Sequence, residues 1–221
     1  MSEQFWIAFG DVHDQLGNIN RIEDISRADG VLISGDLTNV GNRAKAAGML
    51  NEIKALNKNV FAQIGNMDSP EVDKFLDESG CNIHDRLVQL SSRVHVLGLG
   101  YSNPTPFSTP SEVDEKQIKD WLDRVVDHAL EADNLIFVSH TPPYNTKADL
   151  LSSGSHAGSR AVRSFIEKVQ PGVCVTGHIH EARSVDHLGE TVIINPGTFG
   201  SGGYVRISFD GEKLHAELRQ V

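Results

Sequence analysis

The chain has 221 residues, of which 39% are hydrophobic and only two are cysteines. This composition predicts a globular chain with a full core, organised as one domain over residues 1–221, and argues against a disordered or disulfide-rich protein. The formal net charge of −10 argues against a broad surface for nucleic acid. The N-terminal apolar run is short and lacks a basic flank, so we expect no signal peptide, no membrane anchor and a cytoplasmic location.

Short apolar runs alternate with helix-like segments along the chain, an order typical of an α/β or layered α+β domain. The runs of strand length are FWIAF, GVLIS, NVFAQI, RVHVLGL, NLIFVS, GVCVT and TVIIN. Helical spacing predicts helices over 43–56, 115–130 and 160–169, the first with Ala47, Leu50, Ile53 and Leu56 facing the core. The C-terminal residues alternate about Asp210 and Gly211, which predicts a β-hairpin. Residues 101–111 and 151–159 are predicted to be long loops.

Asp, Asn and His residues follow five of the strand-like runs, often beside a glycine. They are Asp11 and His13 (GDVH), Asp36 (GDLT), Asn66 (GNMD), His140 (SHTPP), and His178 and His180 (TGHIH). Ligands gather beyond the carboxyl ends of strands in open sheets, so these side chains are expected to converge. Imidazole and carboxylate groups bind Zn, Mn, Fe, Co or Ni, and a carboxylate such as Asp36 can bridge two cations ~3.5–4 Å apart.

Each of these groups alone has a structural interpretation. A single histidine at a strand end is usually a satisfied polar residue, and Asp68 or Ser69 in GNMDS is suited to cap a helix that begins at Pro70. The joint pattern is far harder to attribute to chance. Ligand-type residues directly after five strand-like runs therefore predict a metal site.

In this order, these motifs resemble the signature of the calcineurin-like metallophosphoesterases, and Asn195-Pro196-Gly197-Thr198 resembles a late segment of small prokaryotic-type members. The resemblance implies a four-layer α-β-β-α sandwich and a site for two divalent metals (Mn, Fe, Ni, Co or Zn). It implies one metal held by Asp11, His13 and His180, a second held by Asn66, His140 and His178, and a bridge through Asp36. It further implies that a hydroxide between the metals attacks a phosphate mono- or diester, with Asp36, Asn66 and His140 in the catalytic centre. We expect a small substrate, with a diester slightly preferred and a nucleotide among the candidates.

One position departs from the family pattern. Many members carry a histidine after the glycine-asparagine pair, where this chain has Met67, which has no titratable proton and cannot act as a general acid. We therefore expect slow hydrolysis of esters with poor leaving groups unless another acid substitutes. His156, in a loop of small residues that precedes Arg160, is the candidate acid; the alternative is that it is an exposed surface histidine with no catalytic role.

A second class of function remains open from the sequence. Met67 alone favours a catalytically weak scaffold or binding protein with the same fold, as in the retromer subunit that resembles these enzymes. The seven suitable side chains favour the enzyme, because a scaffold need not retain them. Nucleic acid is a less favoured partner because the sequence has no basic tract and no aromatic-basic array. No membrane partner is expected. The sequence leaves open whether the protein forms an oligomer.

Overall fold

The computed structural model describes residues 3–221 and contains two mixed β-sheets. The strands are β1 (Gln4–Phe9), β2 (Gly30–Ile33), β3 (Val60–Ala62), β4 (Arg86–Ser91), β5 (Val94–Leu99), β6 (Leu135–Ser139), β7 (Val173–Thr176), β8 (Ser184–Leu188), β9 (Thr191–Asn195), β10 (Gly203–Phe209) and β11 (Leu214–Gln220). The α-helices are α1 (Arg43–Leu56), α2 (Pro70–Glu78), α3 (Glu115–Glu131) and α4 (Arg160–Val169). The three helices predicted from spacing and the C-terminal hairpin are therefore present.

Each sheet combines neighbouring parallel strands with antiparallel strands, which lie at one side of the first sheet and at both edges of the second. The first sheet has the order β11-β10-β1-β2-β3, and the second has the order β4-β5-β6-β7-β9-β8. Strands β1, β2 and β3 are parallel, as are β5, β6, β7 and β9. The loops that follow these parallel strands consequently emerge at one end of each sheet, where ligand-binding residues of α/β proteins usually lie.

Three hydrophobic clusters define four layers. In β1, the side chains of Phe5, Ile7 and Phe9 pack in one cluster with α1 and α2. Those of Trp6 and Ala8 pack in a second cluster between the two sheets. Helices α3 and α4 cover the outer face of the second sheet in a third cluster. Strands buried on both faces are apolar throughout rather than alternating, which is why the sequence runs are continuous. The predicted α-β-β-α sandwich is confirmed.

Some details differ from the predictions. Strands β4 and β8 were not predicted, because they are edge strands whose residues are mostly half-buried or exposed and include no continuous apolar run. In α1 the buried side chains are Ala46, Met49, Leu50 and Ile53, so part of the inward face lies one residue before the predicted one. Helix α2 begins at Pro70 as one interpretation predicted, but the Ser69 side chain makes no capping hydrogen bond and Asp68 is used elsewhere.

Within residues 3–221, none of the helices combines the length and the apolar character needed to span a bilayer.

A substitution at Phe199 would test the packing beneath the end of β1. Its ring is fully buried and stacks on Phe9 with 4.4 Å between the centroids. Phe199→Ala should lower the free energy of unfolding by about 3–5 kcal/mol, because it leaves a cavity in a closed core. Urea unfolding of chelator-treated protein would measure this change. The control is Phe107→Ala, whose parent ring is 81% exposed, and it should change stability by less than about 0.5 kcal/mol. Equal effects of the two substitutions would contradict the assignment of Phe199 to the core.

Candidate metal centre

All seven predicted metal ligands lie in loops at the carboxyl ends of parallel strands. Asp11 and His13 follow β1, Asp36 follows β2, Asn66 follows β3, His140 follows β6, and His178 and His180 follow β7. Hydrogen bonds join these loops across the two sheets; for example, the backbone N–H of His178 donates to both carboxylate oxygens of Asp11 at 3.1 Å. The residues therefore meet where the ends of the two sheets face each other.

The backbone of this region is held in uncommon conformations. Four of the seven residues have positive φ angles, namely Asp11 (47°), His13 (44°), Asp36 (50°) and His178 (68°). Residues other than glycine rarely adopt this left-handed region, and such conformations cost about 1–3 kcal/mol each. The surrounding hydrogen bonds maintain them: Asp11 N–H and His13 N–H donate to carbonyl oxygens of Gly35 and Asp36, respectively, both at 3.0 Å.

The first group of side chains contains Asp11, His13, Asp36 and His180. Four of their potential ligand atoms lie within 4.8 Å of one another. His13 Nε2 is 3.0 Å from His180 Nε2 and 3.6 Å from Asp36 Oδ2, and His180 Nε2 is 3.4 Å from Asp11 Oδ1. Nitrogen and carboxylate oxygen atoms facing one small volume are a donor set that suits a divalent transition metal.

The second group contains Asn66, His140 and His178. The amide oxygen Oδ1 of Asn66 lies 2.9 Å from His140 Nε2 and 2.7 Å from His178 Nδ1. Asp36 connects this group to the first: its Oδ2 lies 3.4 Å from His140 Nε2, while its Oδ1 accepts a hydrogen bond from the Met67 N–H at 2.7 Å. Asp36 thus lies between the two groups, the position that a bridging carboxylate requires.

A chain of hydrogen bonds determines which way the Asn66 amide faces. Glu112 accepts four hydrogen bonds, from the backbone N–H and hydroxyl groups of Thr105 and Thr109. Partial burial acts to raise the pKa of Glu112, but these hydrogen bonds outweigh it and lower the pKa to about 2, so the group is an ionised acceptor. The Thr109 hydroxyl must then donate to Glu112 at 2.6 Å and accept from Asn66 Nδ2 at 2.9 Å. The amide oxygen is therefore the atom that faces the histidines.

His140 has more acceptors around it than a neutral imidazole can satisfy. Its Nδ1 lies 3.0 Å from the Ser34 carbonyl oxygen, and its Nε2 faces oxygens of both Asn66 and Asp36. A neutral ring carries one N–H, so if Nδ1 donates to Ser34, a lone pair on Nε2 faces two oxygen atoms. A proton or a metal cation at that point removes the conflict. The residues present therefore fit a cationic ligand.

Without a cation, the local pKa values shift in opposite directions. Burial acts to lower the pKa of His140, but the neighbouring Asp36 carboxylate outweighs it and raises the pKa to about 9. Burial and the charge of His140 together lower the pKa of His178 to about 4. The low pKa leaves His178 neutral at physiological pH, which is the form in which imidazole binds metals.

Asp68 holds the loops after β2 and β3 together, a role that its position beside GNM did not reveal. Its buried carboxylate accepts hydrogen bonds from the N–H groups of Leu37 (3.0 Å), Thr38 (2.7 Å) and Gly65 (3.1 Å) and from the Thr38 hydroxyl (2.8 Å). Burial and the nearby Asp36 charge raise its pKa to about 7. Thr109 and Glu112 are absent from the motif pattern, and Asp68 stands in it only as a candidate helix cap, so the contacts alone identify the roles of these three residues.

The Asn195-Pro196-Gly197-Thr198 segment supports the loop that carries the last two histidines. Asn195 Nδ2 donates to the carbonyl oxygens of Ile179 (2.9 Å) and Ala148 (3.2 Å), and its Oδ1 accepts from the Gly197 N–H at 2.8 Å. Asn195 is fully buried. Its amide thus satisfies backbone groups of three separate loop segments.

His156 lies beside the site rather than in the cleft. Its Nδ1 is 2.7 Å from Oδ1 of the buried Asp149, and its ring meets Tyr144 edge-on at 5.8 Å. Arg160 also packs on Tyr144, with its guanidinium carbon 3.9 Å from the ring centroid. Neither His156 nor Arg160 lines the cleft, although Ala157 does.

A cleft of about 1280 Å³ is lined by six of the seven residues, and the fully buried His140 lies behind them. One wall is formed by residues 103–110, and others include Val40, Met67, Ile179 and Thr198. None of the described side chains that line it is Lys or Arg, whereas Asp11, Asp36 and Glu181 are among them. Cations bound by the cluster would therefore be the main positive groups of the cleft.

Comparisons with known proteins agree with this geometry. The family model for calcineurin-like phosphoesterases matches residues 7–182. The uncharacterized protein MJ1162 of Methanocaldococcus jannaschii is 38% identical over 173 residues, covering 76% of this chain and 77% of that protein. The crystal structure of TT1561 of Thermus thermophilus has a TM-score of 0.74 at 16% identity, covering 98% of this chain and 99% of that one. A dimetal phosphatase from Danio rerio has a TM-score of 0.67 at 11% identity, with coverages of 98% and 96%.

The two structural neighbours establish the fold, and the family match and the archaeal relative extend the likeness to the sequence. The matched residues include every one of the seven side chains described above. The chain belongs to the calcineurin-like phosphoesterase family and is, by that membership, a metal-dependent phosphoester hydrolase.

Proposed function

We propose that the chain, acting as one domain over residues 1–221, hydrolyses a small phosphate mono- or diester, with some preference for diesters. The observation that carries this proposal is the surplus of lone-pair donors at one point: seven ligand-type side chains converge, with Asp36 between two groups of them. A nucleotide is one candidate substrate, because the cleft volume of about 1280 Å³ is ample for a group of that size.

In this proposal Asp11, His13 and His180 would hold one divalent cation. Asn66, His140 and His178 would hold a second, and the Asp36 carboxylate would be shared between the two. Bound in this way, the two cations would activate a water and offset charge on the phosphoryl oxygens. The donor set contains only N and O atoms, so it accepts Mn, Fe, Ni, Co or Zn, and we favour Mn because carboxylate and amide oxygens are hard ligands.

The chain's own residues would orient the reaction. The Met67 N–H holds Asp36 through Oδ1, which leaves Oδ2 facing His13 and His140. The Met67 side chain lines the cleft but has no proton to give a leaving group. His156 stays a candidate acid only if its ring reaches the cleft on substrate binding, because it is held by Asp149.

A cytoplasmic location is part of the proposal and is supported by Cys81 and Cys174, which are both free. The absence of Lys and Arg among the described cleft residues supports a small ester rather than a nucleic acid strand as substrate. An oligomer is compatible with the proposal and is not required by it.

The first test is metal-dependent turnover. Chelator-stripped protein reloaded with Mn, Ni, Co, Zn or Mg should hydrolyse bis(p-nitrophenyl) phosphate or p-nitrophenyl phosphate, and the ratio of the two rates reports the diester preference. Asp36→Asn should reduce turnover at least about 100-fold, because it removes the charge between the two groups. Asp127→Asn, on the exposed face of α3, is the matched control and should leave turnover unchanged. Tight metal binding without turnover by any metal would favour the scaffold function instead.

Thr109 tests the orientation of Asn66. Thr109→Val keeps the side-chain volume but removes the hydroxyl that accepts from Asn66 Nδ2 and donates to Glu112. Calorimetric titration of the chelator-stripped variant should show one of the two metal sites weakened by about 10–100-fold, the usual effect of losing a residue that orients a ligand. Thr109→Ser should restore the affinity. Equal affinities for the Val variant and the parent protein would show that Asn66 needs no such support.

Gly65 tests how closely the loops approach. A methyl group at Gly65 would meet Asp36 Oδ1 and lie 2.5 Å from His140 Cε1. Gly65→Ala should therefore displace both side chains and abolish stoichiometric metal binding. Gly48→Ala is the matched control: it lies within α1 with no atom within 4 Å of the added carbon, and it should raise stability by about 0.5–1 kcal/mol. Normal metal binding by Gly65→Ala would contradict the observed geometry.

A further inference from the structure

Exposed apolar side chains form one wall of the cleft. The Phe107 ring is 81% exposed and Val40 is 60% exposed, and both line the cleft together with Met67 and Pro106. Scattered exposed apolar residues are ordinary, but a cluster beside a polar site is typical of a surface that binds a ligand. The link between this wall and the metal-ligand residues is made by backbone: the Met67 N–H donates to Asp36, while the Met67 side chain lines the cleft.

The loop that carries Phe107 is held in place by many hydrogen bonds. Thr105 and Thr109, two residues to either side of Phe107, are both bound to the Glu112 carboxylate. The Phe107 N–H itself donates to the Thr105 hydroxyl at 3.1 Å. Pro104, Pro106 and Pro110 restrict the backbone further. The exposed ring is therefore presented from a preorganised backbone, which reduces the entropy lost when a ligand packs on it.

The charges of the cleft limit what can lie against this wall. Its described lining contains the carboxylates of Asp11, Asp36 and Glu181 and no Lys or Arg. A second phosphate on the substrate would have no ion-pair partner outside the metal site and would meet Glu181 unfavourably. The remainder of the substrate is therefore expected to carry no second anionic group.

The chemistry of Met67 favours a substrate with an aromatic group. It lines the cleft beside the metal site and offers an apolar, polarizable thioether, which makes favourable contacts with aromatic rings. It also offers no proton, and an aromatic alcohol is a leaving group that needs little protonation. The wall and the missing proton donor thus favour the same chemical class.

We propose that Phe107 is a specificity-determining residue that packs against a neutral aromatic group of the substrate. The preferred ester then carries one phosphoryl group and an aromatic alcohol whose ring lies on Phe107, with Met67 and Val40 beside it. This inference rests on the proposed phosphoesterase function and names the substrate class for that same site.

The test compares two probes that differ only in the aromatic group. Phenylphosphonate and methylphosphonate would be titrated into the Mn-loaded protein by calorimetry, which requires no turnover. Phenylphosphonate should bind more tightly, and Phe107→Ala should weaken it about 3–10-fold while leaving methylphosphonate unchanged, as expected for loss of one aromatic contact. Phe107→Tyr should retain the phenyl preference. With bis(p-nitrophenyl) phosphate, Phe107→Ala should raise KM by a similar factor and change kcat little.

The matched control is Leu130→Ala, which removes a 51% exposed apolar side chain on α3 and should alter neither affinity. If both phosphonates bind but Phe107→Ala weakens them equally, or phenylphosphonate has no advantage in the parent protein, the role of Phe107 is overturned while the phosphoesterase function stands. If neither phosphonate binds and no ester is hydrolysed with any metal, the proposed function itself fails.

Discussion

Two buried carboxylates impose the constraint on which the rest of the structure depends. Asp11 and Asp36 lie between the ends of the two sheets, and within residues 3–221 only imidazoles are within salt-bridge distance of them. Burying a charge is costly, and without a metal part of that cost is offset because the Asp36 carboxylate raises the pKa of the neighbouring His140 to about 9. The buried charges lower the stability of the metal-free protein. Cations bound between them would stabilise the folded state, because the unfolded chain lacks the assembled site.

The backbone around the site is also held in conformations that are unfavourable by themselves. Four of the seven ligand-type residues have positive φ angles, and glycines such as Gly65 leave no room for a side chain between Asp36 and His140. These arrangements are stable because Asp68 and Asn195 satisfy the backbone groups of the surrounding loops. Local strain is thus supported by buried polar side chains that make no direct contribution to the ligand set.

Most of the fold could be predicted, because strands buried on both faces require continuous apolar runs. Strands β4 and β8 were not predicted, because they are edge strands in which polar and apolar residues are mixed. The convergence of the ligand-type residues could be predicted because each lies within four residues of a strand's carboxyl end, and their metal binding stays a prediction. The contacts of Thr109 and Glu112 could not, since hydrogen bonds to a loop depend on its path rather than on spacing. The catalytic role of His156 stays a prediction, and its contact with Asp149 explains why a histidine stands in that loop.

The contact between the Asp11 carboxylate and the His178 N–H joins positions 167 residues apart in the chain. Contacts of such long sequence separation form late in folding, because the chain loses the entropy of the closed loop before the contact contributes any stabilisation. During synthesis on the ribosome, the first carboxylate must therefore wait for most of the polypeptide to emerge before its neighbours exist. A nascent or truncated chain that ends before β7 would have the ligands of β1 and β2 without the histidines that complete them.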